Sequence, residues 1–226
     1  MTWFLPTYGR AKAVTGMLKA PGGMPDDLVL TIAVDDPFFN DYWRQQYDFW
    51  PKGWKIVTIP ANSYHADALR YIAEKFPDEG FYGILSDDQW PMTKGWAEAM
   101  VEAAEDRYIV TPRGSPTYPT LRTVAGFGGN LVRAVGSLCP ARAIKHNYAD
   151  IIWEEIATKF NLLRPLPDHL VEHRRDGTAE TYNRQNMTAD RAAYEAWQAS
   201  DEPHKMNERI RRFLDEERPI NRTDSV

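Results

Sequence analysis

The amino-acid sequence predicts an α/β protein with a mostly parallel central sheet flanked by helices on both faces. Three observations carry this prediction. Short apolar segments rich in β-branched and aromatic residues alternate with segments of helical length in the first half of the chain, a pattern typical of βαβ units. The 226 residues are 43% hydrophobic and 26% charged, so the chain can bury a sizeable core and is not disordered. No apolar segment approaches the roughly 20 residues of a membrane-spanning helix.

The short apolar segments are predicted to be the strands of this sheet. They are Trp3–Leu5, Leu28–Val34, Trp54–Ile59, Phe81–Leu85 and Tyr108–Val110. Between them the pattern predicts helices at Arg10–Lys19, Ser63–Phe76 and Thr93–Glu105, the second with its apolar residues at helical spacing. Ligands of such sheets bind at the edge where the parallel strands end.

The second half of the chain has a different composition. Between Arg107 and His146 there are six basic residues and no acidic one, together with prolines and glycines that predict loops. We interpret this acid-free stretch either as solvated surface or as a contact for an anion or polyanion. Further along, the pattern predicts a helix at Asn147–Phe160, a strand at Asp168–Glu172, and tail helices interrupted at Pro203.

Properties of the whole chain exclude several classes of protein. The formal net charge of −5 argues against a protein coated with basic side chains for non-specific nucleic-acid binding. Cys139 is the single cysteine, so no internal disulfide can form. The N-terminus lacks the basic region and the long apolar core of a signal peptide. These features predict a cytoplasmic protein that does not associate with membranes.

Two carboxylates directly follow a predicted strand. Asp87 and Asp88 come after Phe81–Leu85, so both are expected at the edge of the sheet where ligands bind. Hard oxygen ligands suit Mg²⁺ or Mn²⁺, whose natural companion is a diphosphate. His173 ends a later strand-like segment and is well placed to be a second metal ligand. The alternatives are that an aspartate caps a turn or the next helix, and that His173 is a hydrogen-bonded structural residue.

A further carboxylate is a candidate general base. Asp150 lies beside two isoleucines and Trp153, and partial desolvation there would raise its proton affinity as a base requires. His146, four residues earlier, is expected to share its helix face. The alternative is that Asp150 is a first-turn residue that complements the helix dipole.

Two glycine-containing segments would let a ligand approach the backbone. Pro6-Thr7-Tyr8-Gly9-Arg10 joins the first strand to the first helix, so its amides and Arg10 could face a phosphate. This segment is neither a Walker loop nor a dinucleotide fingerprint. Gly128-Gly129 is expected either to admit a ligand close to the backbone or to form a tight turn.

Taken in order, these features resemble a GT-A glycosyltransferase of the family 2 type, and most closely its compact phage-encoded members. The resemblance covers roughly residues 3 to 185. It rests on Leu5-Pro6-Thr7-Tyr8-Gly9-Arg10, Asp35-Asp36, Leu85-Ser86-Asp87-Asp88, Gly95-Trp96, Gly128-Gly129-Asn130, His146…Asp150…Trp153 and Pro167-Asp168-His169-Leu170-Val171-Glu172-His173. The chain departs from the family pattern at Gln89, where a third aspartate is common, and at Arg174-Arg175, where a second histidine is often found.

The resemblance implies a nucleoside-diphosphate sugar donor, most often a UDP-sugar, and a divalent cation, Mn²⁺ or Mg²⁺. It implies that Asp88 and His173 bind the metal, with Asp87 nearby, and that Asp150 is the catalytic base. The nucleotide pocket would be lined by Pro6, Thr7, Tyr8 and Arg10, with Asp35 or Asp36 accepting from the nucleobase. The acceptor side would be lined by Gly128, Gly129, Asn130 and Trp153. Residues 1–185 would form the GT-A domain, with residues 1–106 binding the donor and 107–185 the acceptor, and residues 186–226 would be a helical extension.

The preferred acceptor is a hydroxymethylated pyrimidine base in phage DNA, modified in the host cytoplasm. The acid-free stretch 107–145 could contact DNA phosphates, and Tyr118, Phe127 and Trp153 could stack on an extruded base. One base without a second carboxylate as nucleophile suggests inversion at the anomeric carbon. The alternatives are a polysaccharide, protein or small-molecule acceptor, a nucleotidyltransferase with Lys12 near the phosphates, and a non-catalytic nucleotide-binding module.

The tail from residue 186 has its own interpretation. Trp197, Ile210 and Phe213 lie at a spacing typical of a buried helical face. The tail is therefore expected to be either a solvated helical appendage or the contact surface of a homodimer.

Overall fold

A computed structural model describes residues 1–39, 50–114, 125–174 and 184–216. In these ranges the strands are β1 (Thr2–Thr7), β2 (Leu28–Ala33), β3 (Lys55–Ile59), β4 (Phe81–Ile84), β5 (Gln89–Pro91), β6 (Ile109–Arg113), β7 (Ala125–Gly128) and β8 (Leu163–His173). The helices are α1 (Ala11–Met17), α2 (His65–Lys75), α3 (Trp96–Ala104), α4 (Gly129–Val135), α5 (Ala149–Phe160), α6 (Arg184–Gln198) and α7 (Glu202–Glu216). The predicted α/β class with a helix-flanked sheet is confirmed.

The sheet has a parallel half and a mixed half. Its strand order is β3-β2-β1-β4-β7-β6-β8-β5. β1 pairs in parallel with β2 and with β4, so all three strands end at the same side of the sheet, which we call the carboxyl edge. β7 runs antiparallel to β4 and to β6. It therefore carries the chain back to the opposite side, which we call the amino edge.

The ring of Trp3 on β1 is central to the packing between the sheet and α3. It lies 4.6 Å from the ring of Trp96 and 5.3 Å from that of Phe81, and edge contacts of this kind add to the stabilisation from burial. Gly83 of β4 faces Trp3, and a Cβ at that position would overlap the indole. The close approach of β1 to β4 therefore requires glycine here, and it fixes the relative positions of the residues that follow the two strands.

The structure contains three elements that the sequence pattern does not predict. They are β5, β7 and α4, and β7 and α4 replace the expected turn at Gly128-Gly129. β7 has low strand propensity because it contains Gly126 and Gly128. Gly126 is nonetheless needed, because a Cβ there would overlap the ring of Phe81. β8 also begins earlier than Asp168, at Leu163, because its first residues pair in parallel with β6.

The last helix packs onto the domain rather than standing in solvent. Met206 and Ile210 of α7 are buried, and Arg209 donates hydrogen bonds to the carbonyls of Ala134 and Val135 at the end of α4, at 3.0 and 2.8 Å. Capping the last carbonyls of a helix with an arginine satisfies groups that have no partner within the helix. The expectation of a solvated appendage is therefore wrong for α7.

The apolar residues of the tail also pack within the chain. Trp197 and Phe213 lie partly buried against the core, and Ile210 is fully buried. The predicted break between the tail helices is confirmed, because α6 ends at Gln198 and α7 begins at Glu202. Pro203 lies in the first turn of α7, where a missing N–H costs nothing. The homodimer stays a prediction. No helix in the described ranges is both long enough and apolar enough to cross a bilayer.

Candidate active site

Asp87 lies just beyond β4 at the carboxyl edge, and both of its carboxylate oxygens have partners. Thr7 Oγ1 donates a hydrogen bond to Oδ2 at 2.7 Å, and Arg10 Nη1 lies 2.8 Å from Oδ1. Asp87 is only 8% exposed, and a buried carboxylate needs such partners to offset its desolvation. Because Thr7 ends β1 and Arg10 precedes α1, Asp87 joins the loops that follow the two central strands and holds the arginine in place.

Asp88 and His173 are brought together by the pairing of β5 with β8. β5 and β8 are antiparallel, with Gln89 opposite His173, and the N–H of Arg174 donates to the carbonyl of Asp88 at 2.7 Å. The side chains meet with Nε2 of His173 2.7 Å from Oδ2 of Asp88. The carboxylate and the imidazole, 85 residues apart in the chain, therefore converge at the carboxyl edge as the sequence predicts.

The second oxygen of Asp88 is buried and has no hydrogen-bond partner within the described ranges. This orphaned atom, Oδ1, lies in a group whose other oxygen contacts His173 and which has Arg10 Nη1 at 3.9 Å. A buried carboxylate oxygen without a donor carries a desolvation cost that a bound cation would remove. Asp88 therefore has a buried oxygen left for a ligand at this edge.

These residues fit a divalent cation that also binds a substrate. Cations such as Mg²⁺ are usually held by one or two carboxylates, several waters and substrate phosphates rather than by a full protein cage. No group of three or more His, Cys, Asp or Glu side chains in the described part of the chain surrounds a common point. Asp88 with His173 would thus supply a partial ligand set that phosphate oxygens and water complete.

Asp36 and Asp35 follow β2 and differ in their surroundings. Asp36 is buried, and its two oxygens accept from the N–H groups of Gly9 and Phe38 at 2.7 and 2.8 Å. It therefore positions the loop between β1 and α1. Asp35 is exposed and accepts from the N–H of Asn62 at 3.0 Å. Of the two, Asp35 is the one with a carboxylate at the surface.

Tyr8 lies at the surface beside Asp35, whereas Pro6 is buried in the sheet. Tyr8 is 53% exposed, and its hydroxyl donates to the carbonyl of Asp35 at 3.4 Å. Desolvation and the negative charges of Asp35 and Asp36 raise the pKa of the Tyr8 phenol, so it stays a neutral donor. Pro6 is buried within β1 and pairs with Thr31 of β2.

Two histidines lie next to the site. His146 is among the residues on which the resemblance rests, whereas the sequence analysis does not single out His65. His65 begins α2, beyond the end of β3, and its ring centroid lies 5.9 Å from that of His146. Burial is the main cause that lowers the pKa of His65 to about 4, His146 adds to it, and the carboxylate of Asp88 opposes it. Burial also lowers the pKa of His146, against the effect of Asp190. The position of His65 in the sequence could have indicated its place near the site, because it follows the loop after a parallel strand, where ligands bind.

The lowered pKa of His65 predicts an acid-sensitive fold. The folded protein holds His65 neutral, while the unfolded chain protonates it below about pH 6.5, so the free energy of unfolding falls as pH drops from about 6.5 to about 4. His65→Gln is expected to lose less stability than the wild type between pH 7 and pH 4.5, by on the order of 1 kcal/mol. Urea unfolding of both proteins at the two pH values measures this, and equal losses would contradict it.

Asp150 lies in the first turn of α5 and is partly exposed. Its carboxylate forms no hydrogen bond or ion pair with other residues of the described ranges. α5 begins at Ala149, so His146 precedes the helix and the expectation that the two share a helix face is wrong. Trp153 is buried, whereas Asp150, at the start of the helix, is only partly buried. The role of Asp150 as the base stays a prediction.

The glycines predicted at the acceptor side lie at the other edge of the sheet. Gly128 pairs with Phe81 at the start of β4, and a Cβ at Gly128 or Gly129 would overlap the backbone of Asp106 or Glu79. These glycines allow the start of α4 to pack against the loops that precede β4 and β6. Asn130 accepts from the guanidinium of Arg133 at this edge. The structure does not bring this segment near Asp88, and we leave it out of the site.

Trp153 belongs to the core and not to an acceptor surface. It is 2% exposed, its ring lies 4.5 Å from that of Phe127, and its Nε1–H donates to the carbonyl of Leu138 at 2.8 Å. Phe127 is 5% exposed. Neither ring has a free face, so the expectation that they stack on an extruded base is wrong. Tyr118, the third aromatic residue of that expectation, lies outside the described residues.

Trp153→Ala is therefore expected to act on stability. Removing a buried indole costs about 3–5 kcal/mol through lost burial and the cavity left behind. Thermal or urea unfolding measures the loss, with Trp197→Ala as a control because Trp197 is only partly buried. A Trp153→Ala protein with wild-type stability and weakened acceptor binding would return this residue to the acceptor site.

The acid-free stretch does not form one basic surface. Arg133 donates to the carbonyls of Pro77 and Glu79 at the amino edge, at 3.1 and 3.0 Å. Lys145 instead lies 3.5 Å from Asp67 of α2, beyond the end of β3. Arg113 ends β6 and is exposed, and Arg122 falls outside the described residues. The positive charges that the sequence places together are thus distributed over both edges.

Comparison with known proteins identifies the fold. No protein-family model and no curated protein sequence matches the chain. GalNAc-T7, solved with UDP, GalNAc and Mn²⁺, superposes with a TM-score of 0.62 at 11% identity over 88% of this chain and 48% of GalNAc-T7. The mannosyltransferase PcManGT from Pyrobaculum calidifontis, solved with GDP-Man and Mn²⁺, gives 0.56 at 14% identity over 95% and 74% of the two chains.

The same architecture also occurs outside glycosyl transfer. The 4-diphosphocytidyl-2C-methyl-D-erythritol synthase from Anaerococcus prevotii gives a TM-score of 0.51 at 10% identity over 85% of this chain and 95% of the synthase. The chain thus has the GT-A, Rossmann-like fold, and it spans about half the length of GalNAc-T7, 48%. At these identities the likeness concerns the fold alone, and the function must be argued from the site.

Proposed function

We propose that the protein is a metal-dependent glycosyltransferase that moves a sugar from a UDP-sugar to an acceptor hydroxyl. One observation carries the proposal: at the carboxyl edge of a GT-A sheet, Asp88 has a buried oxygen without a partner and lies 2.7 Å from the imidazole of His173, beside Arg10. Solved structures of this fold contain UDP or GDP-Man together with Mn²⁺. We extend that donor class and cation to this chain on the strength of the Asp88–His173 pair.

On the donor side, this chain's residues would bind and orient a diphosphate. Asp88 and His173 would hold Mn²⁺ or Mg²⁺, which when bound neutralises the charge that develops on the departing diphosphate. Arg10, fixed by its 2.8 Å contact with Asp87, presents a permanent positive charge beside them. Asp35 and Tyr8 would contact the nucleobase and ribose. Asp36 would position the loop between β1 and α1 through its hydrogen bond from Gly9.

On the acceptor side, Asp150 would remove the proton from the attacking hydroxyl. A carboxylate that is partly exposed and makes no ion pair within the described ranges is available for such a transfer. With one base and no second carboxylate placed as a nucleophile, the proposed reaction is a direct displacement that inverts the anomeric carbon.

The proposed acceptor is the hydroxyl of a hydroxymethylated pyrimidine in phage DNA. Two arguments for this acceptor no longer hold. Phe127 and Trp153 are buried and cannot stack on a base, and the basic residues do not form a single surface. What supports it now is Arg113 at the end of β6 and the segment 115–124 that follows, which contains Tyr118 and Arg122 and lies outside the described residues.

Salt dependence separates a DNA acceptor from a neutral one. Contacts to phosphates release counterions, so binding to hydroxymethylated DNA is expected to weaken by about tenfold or more between 50 and 200 mM salt. Filter binding or fluorescence anisotropy measures this directly. A flat salt dependence, or no binding, would favour a polysaccharide, protein or small-molecule hydroxyl.

The proposed donor chemistry is tested by incubating the protein with a panel of nucleotide sugars, with and without Mn²⁺. We expect slow Mn²⁺-dependent release of UDP from one UDP-sugar even without acceptor, because transferases of this kind leak to water. Release of pyrophosphate from a nucleoside triphosphate and a sugar phosphate would instead indicate a nucleotidyltransferase. Binding of UDP without any turnover across the panel would indicate a non-catalytic module.

A further inference from the structure

The buried carboxylate of Asp190 on α6 binds the loop that precedes α5. Its Oδ1 accepts from the N–H of Lys145 at 2.8 Å, and its Oδ2 accepts from the N–H groups of His146 and Asn147 at 2.9 and 2.8 Å. The side-chain amide of Asn147 adds a contact at 3.2 Å. Asp190 is 1% exposed, so this carboxylate is removed from water and depends on these donors.

Three consecutive N–H groups that converge on one carboxylate form an anion-binding nest, here filled by the protein itself. The nest lies directly before α5, whose N-terminus also favours a negative charge. A carboxylate more than forty residues away in the chain thus fixes the backbone at Lys145, His146 and Asn147.

The same loop is held from the other side by the first turns of α2. The N–H of Ala66 donates to the carbonyl of Lys145 at 2.9 Å, and Arg70 donates to the carbonyl of Ile144 at 2.8 Å. The loop therefore lies between α6 and the helix that begins with His65. This arrangement is what brings the ring of His146 to 5.9 Å from that of His65.

A second contact from α6 fixes the start of α5. The ring of Tyr194 stacks on that of Tyr148 with centroids 5.0 Å apart, and its hydroxyl donates to Glu155 of α5. Tyr148 has a positive φ of 73°, an uncommon conformation for a residue other than glycine. Asp150 follows two residues later. Asp190 and Tyr194, both on α6, thus fix the backbone at the start of α5.

We infer that Asp190 is a positioning residue of the active site, which fixes the loop 145–147 and thereby the places of His146 and of the proposed base Asp150. The tail helix α6 is then part of the catalytic apparatus on the acceptor side. This inference rests on the proposed transfer reaction. It concerns the acceptor side, because the backbone that Asp190 binds is the loop directly before α5, the helix that carries Asp150.

The test is Asp190→Asn, which keeps the shape of the side chain but removes its charge and turns an amide N–H₂ toward backbone donors. We expect kcat for sugar transfer to fall by about 10–100-fold, since displacing a reacting group by about 1 Å can cost this much. The Kd for UDP with Mn²⁺ is expected to stay within about twofold, because the donor side is untouched. Amide NMR signals of residues 145–147 are expected to move upfield as their charged acceptor is lost.

Asp201→Asn is the matched control, since Asp201 is exposed on the same tail and its side chain has no hydrogen-bond partner within the described ranges. It is expected to leave kcat and Kd unchanged. If Asp190→Asn does not fold, Asn147→Ala removes only the 3.2 Å contact and is expected to lower kcat by about two- to fivefold at unchanged donor Kd.

The outcomes are separable. Wild-type kcat in a folded Asp190→Asn protein, or in Asn147→Ala where that variant is needed, would overturn the inference. Equal losses of kcat and donor affinity would also overturn it, because they indicate general loosening. A wild-type protein that neither binds UDP with Mn²⁺ nor hydrolyses any nucleotide sugar would instead overturn the proposed function.

Discussion

Asp88→Asn is expected to abolish metal-dependent donor binding and to lower sugar transfer by about 10²–10³-fold. The amide keeps the size of the side chain but cannot supply the charge that a divalent cation needs, and it would turn either its N–H₂ or its weaker oxygen toward His173. Because Asp88 Oδ1 is buried without a partner, the change removes no hydrogen bond from that atom. Stability should therefore fall little, while affinity for UDP should lose its dependence on Mn²⁺.

Calorimetry of UDP binding, with and without Mn²⁺, measures this effect for wild type and variant. Asp78→Asn is the matched control, because Asp78 is an exposed aspartate that precedes β4 at the amino edge. The control is expected to bind UDP with Mn²⁺ as the wild type does. An Asp88→Asn protein with undiminished Mn²⁺ enhancement would show that the cation, if one is used, binds elsewhere.

Asp150→Asn is expected to show the second large effect. Here turnover is lost while donor binding is kept. General bases contribute about 10²–10⁴-fold to rate, so transfer should fall by that factor. Donor affinity should remain within about twofold of the wild type, because Asp150 lies on α5, whereas the donor-side residues lie at or just after the ends of β1, β2, β4 and β8. Single-turnover transfer and UDP titration measure the two quantities separately.

Glu154→Gln serves as the control for this change, since Glu154 lies on the same helix and has no side-chain hydrogen bond or ion pair within the described ranges. Full transfer activity in Asp150→Asn would remove Asp150 from the mechanism. Loss of donor affinity in step with turnover would mean that the residue supports the donor pocket and is not the base.

The convergence of Asp88 with His173 was accessible from sequence because strand ends share an edge of the sheet. Asp88 follows an apolar strand and His173 ends a later one. Their position at the carboxyl edge can therefore be predicted without knowing the loop structures. The contact of Asp87 with Thr7 and Arg10 follows from the same logic, since β1 and β4 are neighbours. What the pattern does not reveal is that both oxygens of Asp87 have protein partners, while one buried oxygen of Asp88 has none within the described ranges.

The acceptor side was less accessible, because its residues act through packing that the pattern does not encode. Gly128 and Gly129 permit close approach, as their lack of a Cβ predicts, but what approaches is the backbone near Asp106 and Glu79. Trp153 has an aromatic ring that could stack on a base, but it lies in the core. Asp190 is an ordinary helix aspartate in sequence, and only the tertiary structure shows the three N–H groups that it binds.

The central claim, that Asp88 and His173 hold a catalytic cation together, is tested most directly by pulsed EPR of Mn²⁺ bound to the protein with UDP. The account predicts hyperfine coupling of the manganese to the nitrogen of one histidine, and loss of that coupling in His173→Gln. A wild-type spectrum without nitrogen coupling, or a coupling that persists unchanged in His173→Gln, would contradict it.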